Sequence, residues 1–313
     1  MEDQQTVRFD GRTIIVTGAG GGMGRAHAVL LASRGANVVV NDVANAHDVA
    51  SSITASGGRA VASTSDISTL AGSQRVVNDA VAAFGGIHGL VNNAGISIHR
   101  PFARLTSDLL ERTMAVNAFG ALHMTWCAWP HLVESGSGRI VMIASTAAIT
   151  GSPNLAHYAM SKGALLGLTR QLSAEGAGHG VTVNAVVPYA VTPMSSGMDD
   201  VAGAARGAVL SSIAGALGIE PSDHVALEQR TTDLVAPVVA WLCHPSCQIS
   251  GEILKTKGGE VSRIAYVESA GIVDRELTIE TLHERQAEIL DLAAARLCAA
   301  RRSSGSGQGD PIR

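Results

Sequence analysis

Charge is scarce in this chain: 16% of its 313 residues are Asp, Glu, Lys or Arg, and aromatic residues make up only 3%. A sequence that is 46% hydrophobic has ample side chain to bury against the entropy of folding, which excludes a disordered tail. Its 23 basic and 27 acidic residues leave a net charge of -4, and the only adjacent basic pair near the end is Arg301-Arg302. That balance offers no electrostatic footprint for nucleic acid or an anionic membrane. Cysteine is sparse too. Four thiols (Cys127, Cys243, Cys247, Cys298) in a chain this long do not make a disulfide scaffold. Cys243-His244-Pro245-Ser246-Cys247 lacks the second Cys/His pair that zinc needs, so no metal is expected, only buried thiols in a reducing, cytoplasmic setting. Long apolar runs are also missing. Thr113 to Val133 has no Asp, Glu, Lys or Arg, but Asn117, His123, Pro130 and His131 make it a core helix rather than a membrane span. The opening Met1-Glu2-Asp3-Gln4-Gln5 has the wrong charge and polarity for a signal or transit peptide.

What is present is a rhythm. Apolar runs at Thr13–Val16, Asn37–Val40, Ala60–Ser63, Gly89–Val91, Arg139–Ile143, Val181–Val187 and Glu252–Lys255 alternate with helical spacing, the first helix (Gly24 to Ser33) closing at Gly35. Runs apolar on both faces belong to parallel strands covered by helices, so the pattern predicts an α/β fold with a doubly wound, Rossmann-type parallel sheet. Its ligand crevice should lie beyond the carboxyl ends of the strands. We expect a single domain over 1–265, in which the Gly-, Ala- and Ser-rich stretch 195–228 is either a substrate lid or a surface excursion. A helical extension over 266–302 follows, with Ile279, Leu282, Ile289, Ala293 and Leu297 as its apolar stripe, then a flexible tail at 303–313.

Thr17-Gly18-Ala19-Gly20-Gly21-Gly22-Met23-Gly24 joins the first strand to the first helix. Glycine marks any tight turn, but in this position it lets the backbone approach a pyrophosphate at a helix N-terminus, so Gly18, Gly22, Met23 and Gly24 are candidate dinucleotide contacts. Asp42 ends the second strand, 18 residues beyond Gly24, where a carboxylate can accept hydrogen bonds from an adenosine ribose. A 2′-phosphate there would face like charge, and Val43-Ala44-Asn45-Ala46 supplies no cation to offset it. Arg25, the one nearby cation, reads more simply as a solvated helix face. NAD is therefore expected over NADP, against the plainer reading of Asp42 as a loop-start carboxylate.

Tyr158 and Lys162 stand four apart, a spacing that puts both on one face of a helix. Alone the pair means little. Ser145, 13 residues before Tyr158 and directly after a strand, and Asn117 in the apolar helix give it meaning. Lowering a phenol from pKa 10 by about three units requires about 4 kcal/mol. An ammonium about 4.5 Å away supplies about 3.7 kcal/mol at an effective dielectric of 20, and under about 1 kcal/mol in water. Lys162 can therefore activate Tyr158 only inside a sheltered cleft.

With these residues in hand, the chain resembles the short-chain dehydrogenase/reductase family over nearly all of 8–265. The matching motifs are the glycine turn, Asp66-Ile67, Asn92-Asn93-Ala94-Gly95, Asn117, Ser145 and Tyr158 with Lys162. The resemblance implies that Asp66 and Ile67 flank adenine, and that Asn93 supports the sheet and touches cofactor. It also implies that Lys162 holds the cofactor ribose, that Pro188, Val191 and Thr192 border the nicotinamide, and that Asn117 positions a water relay. Plainer alternatives are a strand-end turn at Asn92–Gly95 and a helix cap at Asp66. Where many members have Pro-Gly, this chain reads Pro188-Tyr189. Phe9-Asp10-Gly11-Arg12, Val38–Asp42 and Trp241–Cys247 look like the dehydrogenase domain of multifunctional β-oxidation enzymes, which oxidise 3-hydroxyacyl-CoA thioesters and, in some cases, 17β-hydroxysteroids with NAD. The implied protein is an NAD-dependent secondary-alcohol dehydrogenase acting on a small molecule, assembled as a homodimer or homotetramer. Its rivals are an NADPH-dependent ketoreductase of carrier-bound 3-oxoacyl groups and a non-catalytic dinucleotide-binding protein.

Overall fold

A computed structural model describes residues 7–189 and 232–298. Val191, Thr192, the expected lid at 195–228 and the expected tail at 303–313 lie outside the described residues. The apolar runs form strands and the amphipathic stretches between them form helices: β1 (Thr13–Thr17), α1 (Gly22–Ser33), β2 (Asn37–Asn41), α2 (Ala46–Ala55), β3 (Arg59–Ser63), α3 (Leu70–Phe84) and β4 (Gly89–Asn92). Then come α4 (Ser107–Met114), α5 (Gly120–Glu134), β5 (Arg139–Ile143), α6 (Ala147–Thr150), α7 (Ala156–Gly176) and β6 (Thr182–Tyr189). A helix at Ala236–Cys243 leads to β7 (Ile253–Lys257) and β8 (Glu260–Ile264).

The eight strands lie in the order β3-β2-β1-β4-β5-β6-β7-β8, parallel except for β8. The order reverses between β1 and β4, the switch point where a crevice opens in a doubly wound sheet. Alternate side chains feed two cores. Ile14, Val16, Val141, Ile143, Val186 and Leu254 pack beneath α1, α2 and Ala236–Cys243. Ile15, Ile140, Met142, Val183, Val187 and Ile253 pack beneath α3, α5 and α7. Both faces are thus covered, which explains why the inner strands carry no polar alternation.

Three features depart from the sequence reading. The antiparallel β8 was not foreseen, because four of its five residues are exposed and it has no apolar run to announce it. The apolar helix around Asn117 is split: α4 and α5 are joined by a π-helical turn, Ala115–Phe119. Finally, residues 266–298 hold two short helices, Ile279–Glu284 and Gln286–Leu290, and a two-strand ladder, Val267–Glu268 with Arg296–Leu297, in place of one long helix. The break falls at Arg285, whose dihedrals leave the helical region (φ -103, ψ 17). None of the apolar stripe is buried, so no tertiary packing sustains a longer helix. Among the described residues no helix is long and apolar enough to cross a membrane.

Candidate active site

At the carboxyl end of β1 the chain turns through Gly18, in the left-handed region at φ +62. A Cβ there would lie 2.7 Å from Ala94 Cα, so only glycine lets the turn sit against the end of β4. Gly24 is packed as tightly, 2.1 Å from Gly18 O at its would-be Cβ. Gly22 opens α1, and Met23 turns inward onto the core. The helix has no side-chain cap, whereas α3 and α4 are capped by Thr69 and Thr106. Its first N–H groups are left for a ligand, and the space above Gly21 is open. Uncapped N–H groups over a glycine turn suit a pyrophosphate.

Asp42 closes the turn from β2: Oδ2 accepts from Gly20 N at 2.9 Å and Oδ1 from Ala44 N at 3.0 Å. From β4, Asn93 Nδ2 donates to Thr17 O and Gly18 O at 2.9 and 3.1 Å, while Thr17 Oγ1 accepts from Asn93 N and Ala94 N. Asn93 therefore fastens the glycine turn to the switch point. Asp66 is exposed after β3, its Oδ1 accepting from Ser68 N at 2.9 Å, so it shapes the turn into α3 while Thr69 caps the helix. The Ile67 side chain is in the core, 3.2 Å from where a Gly120 Cβ would stand, and only its main chain remains for a ligand.

The second half of the site gathers around α7. Lys162 is 3% exposed and donates from Nζ to Ile143 O at 2.7 Å. Half-buried Tyr158 sits on the same helix, its phenol within hydrogen-bonding reach of Ser145, just past β5. Asn117, fully buried in the π turn, accepts at Oδ1 from Ile96 N (2.8 Å) and donates to Ile96 O (2.9 Å) and Ser161 Oγ (3.0 Å). Ser161 in turn donates to Tyr158 O at 2.8 Å. Gly95 joins the two halves: a Cβ there would lie 3.3 Å from both Asn117 Oδ1 and Lys162 Nζ. The structure thus brings Asn117, Ser145, Tyr158 and Lys162 together at the carboxyl edge. Pro188 sits at the end of β6 beside Tyr189.

The electrostatics differ from the simple through-space picture. Burial pushes the Tyr158 phenol above its ordinary value, and the group that offsets this is Ser145, not Lys162. The Lys162 ammonium is turned to a main-chain carbonyl and is itself pushed down to about 8 by desolvation. The Asn117 side chain, expected in a water relay, is committed to Ile96 and Ser161. Sequence reasoning missed Ser161, which its position three residues beyond Tyr158 could have flagged. It also missed the Ile96 and Ile143 main-chain groups, which no residue type announces. All four cysteines are free thiols, and burial raises Cys243 to about 12. Among the described residues no cluster of His, Cys, Asp or Glu is placed to hold a metal ion.

A family model for short chain dehydrogenases matches residues 12–201. The chain is 34% identical over 298 residues to a short-chain type dehydrogenase/reductase of Mycobacterium tuberculosis, covering 91% of this chain and 96% of that one. It is 32% identical over 306 residues to peroxisomal multifunctional enzyme type 2 of Drosophila melanogaster, covering 93% of this chain. The chain spans about half that enzyme's length, 47%. The full-length structure of the Drosophila enzyme aligns with a TM-score of 0.75 at 29% identity, over 94% of this chain and 48% of that chain. The chain belongs to the short-chain dehydrogenase/reductase family of oxidoreductases, whose members bind a nicotinamide dinucleotide. Within that family it is similar to the multifunctional enzymes of peroxisomes.

Proposed function

We propose that the protein is an NAD-dependent dehydrogenase that interconverts a secondary alcohol and a ketone, with 3-hydroxyacyl-CoA thioesters or hydroxysteroids as its substrates. The observation that carries this reading is the continuous contact from Ser145 through Tyr158 and Ser161 to Asn117, with Lys162 against Gly95, beside an uncapped glycine turn. In this scheme Ser145 hydrogen-bonds the substrate oxygen and Tyr158 exchanges a proton with it. Burial favours the neutral phenol, so Tyr158 is poised as a donor in the reducing direction. Accepting a proton would need positive charge nearby, which Lys162, protonated below about pH 8, would supply on turning from Ile143 O toward the phenol. Bound dinucleotide supplies the hydride acceptor or donor. Gly18, Gly22 and Gly24 would take its pyrophosphate, and Asp42 its adenosine ribose. The carboxylate that favours a ribose hydroxyl disfavours a 2′-phosphate, which supports NAD.

Exposed Phe119 in the π turn, Leu122 and Trp126 on α5 and Met160 on α7 support assembly of two or four copies through these helices. The four free thiols support a reducing compartment, the cytoplasm in our reading, although the multifunctional relatives are named as peroxisomal.

The test is reduced-nicotinamide formation across 3-hydroxyacyl-CoAs, hydroxysteroids and cyclic alcohols, with NAD and NADP compared on each. We expect kcat/KM at least tenfold higher with NAD; preference for NADP would favour the ketoreductase reading. Tyr158→Phe should lower kcat by about 10²- to 10⁴-fold and leave dinucleotide binding within twofold. Unchanged turnover would refute the mechanism.

A further inference from the structure

Of the 23 basic residues only three are lysines, Lys162, Lys255 and Lys257. One lies in the N-terminal part of α7, and the other two lie at the middle and the carboxyl end of β7. Strand alternation fixes the face of the last two. Ile253 packs into the core beneath α7 and Leu254 into the opposite core, so Lys255 and Lys257 point to the α7 side. Val187 of β6 also packs beneath α7, which puts Tyr189 on that side, and the register sets Val187 beside Lys255 and Tyr189 beside Lys257. Because Ile143 lies opposite Val186, Tyr189 stands one residue beyond the level of Ser145.

Two ammonium groups and a phenol therefore continue, along the rim of the sheet, the face covered by α7, the helix that carries Tyr158. β7 is an interior strand, flanked by β6 and β8, where a charged residue is costly unless that face stays open. Lys255 is half-buried and forms no ion pair among the described residues. Glu260 faces Lys257 across the β7–β8 turn. The Arg263–Glu252 ion pair belongs to the other face, beside Leu254. The other half of the same edge is acidic, with Asp42 and Asp66 after β2 and β3.

We propose that Lys255 and Lys257, with Tyr189, form a subsite for an oxyanion carried by the substrate, away from the carbon that reacts. The inference rests on Tyr158 and Ser145 marking the reacting centre. It narrows the substrate to secondary alcohols bearing a phosphate or a carboxylate. A lysine ammonium takes either as a point charge.

Coenzyme A, which has phosphates but no reacting alcohol, probes the subsite without turnover. Calorimetry on the NAD-saturated protein should give a Kd that rises about tenfold in Lys255→Gln and further in Lys255→Gln/Lys257→Gln, and falls in Glu260→Gln. Turnover then separates the sources with three probes: 3-hydroxybutyryl-CoA has phosphates, 3-hydroxybutyrate a carboxylate, and the N-acetylcysteamine thioester of 3-hydroxybutyrate neither. In the double variant KM for the preferred charged probe should rise at least tenfold more than for the neutral thioester, and rising salt should mimic the effect. Equal shifts for charged and neutral probes overturn the subsite, as does wild-type protein that binds neither coenzyme A nor 3-hydroxybutyrate. Charge-dependent binding without turnover of any probe would instead overturn the catalytic reading and leave the subsite standing.

Discussion

At the scale of single residues, the buried basic groups decide how the protein answers to pH. His27 on α1 is fully buried and neither ring nitrogen has a hydrogen-bond partner, so desolvation pushes it down to about 3. Its unfolded value is near 6.5, so the unfolded chain binds the extra proton first. Stability from this group is fully present above pH 6.5 and is lost as pH falls toward 3, on the order of 5 kcal/mol at the limit. Urea titrations at pH 7 and 4.5 should show His27→Leu losing less stability between the two than wild type does. Gly95 is the matching test inside the site. Gly95→Ala puts a methyl 3.3 Å from both Asn117 Oδ1 and Lys162 Nζ, one of which must give way. We expect kcat to fall tenfold or more while the melting temperature moves by only a few degrees, measured by steady-state kinetics and calorimetry.

At the scale of elements, Arg139 shows how strand ends are tied together. Its guanidinium, 3% exposed, donates to Gly138 O and Gly180 O and to the carbonyls of His244 and Pro245. The cysteine-flanked segment that could suggest zinc is therefore a turn held by an arginine. Arg139→Met strands several buried carbonyls and should cost about 3 kcal/mol in urea unfolding, with KM little changed for the remote active site. The π turn is the other element-level device. Its 115-to-120 hydrogen bond re-aims Asn117 so that it clamps Ile96 from both sides.

At the scale of the whole molecule, exposed apolar side chains among the described residues are most numerous along the extension at 266–298, and a second set lies on the π turn and α5, where Phe119 is 49% and Trp126 66% exposed. Patches of this kind mark association surfaces. Trp126→Glu should shift the molecular mass toward that of one chain in light scattering, and an unchanged mass would place the contact elsewhere. The extension at 266–298 buries none of its own residues; its hold on the core includes Arg170, which stacks on Tyr266 and hydrogen-bonds Cys298 O.

The sheet was legible because a parallel strand covered on both faces must be apolar throughout. The glycine turn, Asp42, Ser145 and the Tyr158–Lys162 pair could be singled out because they are residue types at fixed spacing along one chain, and the structure gathers them along one edge of the sheet. β8 and the broken extension were not, since a strand or helix without a buried face leaves no hydrophobic period. Nor could residue types reveal that Lys162 turns to Ile143 O, that Asn117 grips Ile96, or that β7 carries its lysines to the face of α7. Those facts depend on main-chain groups and strand register, which come into being only when segments far apart in sequence pack together.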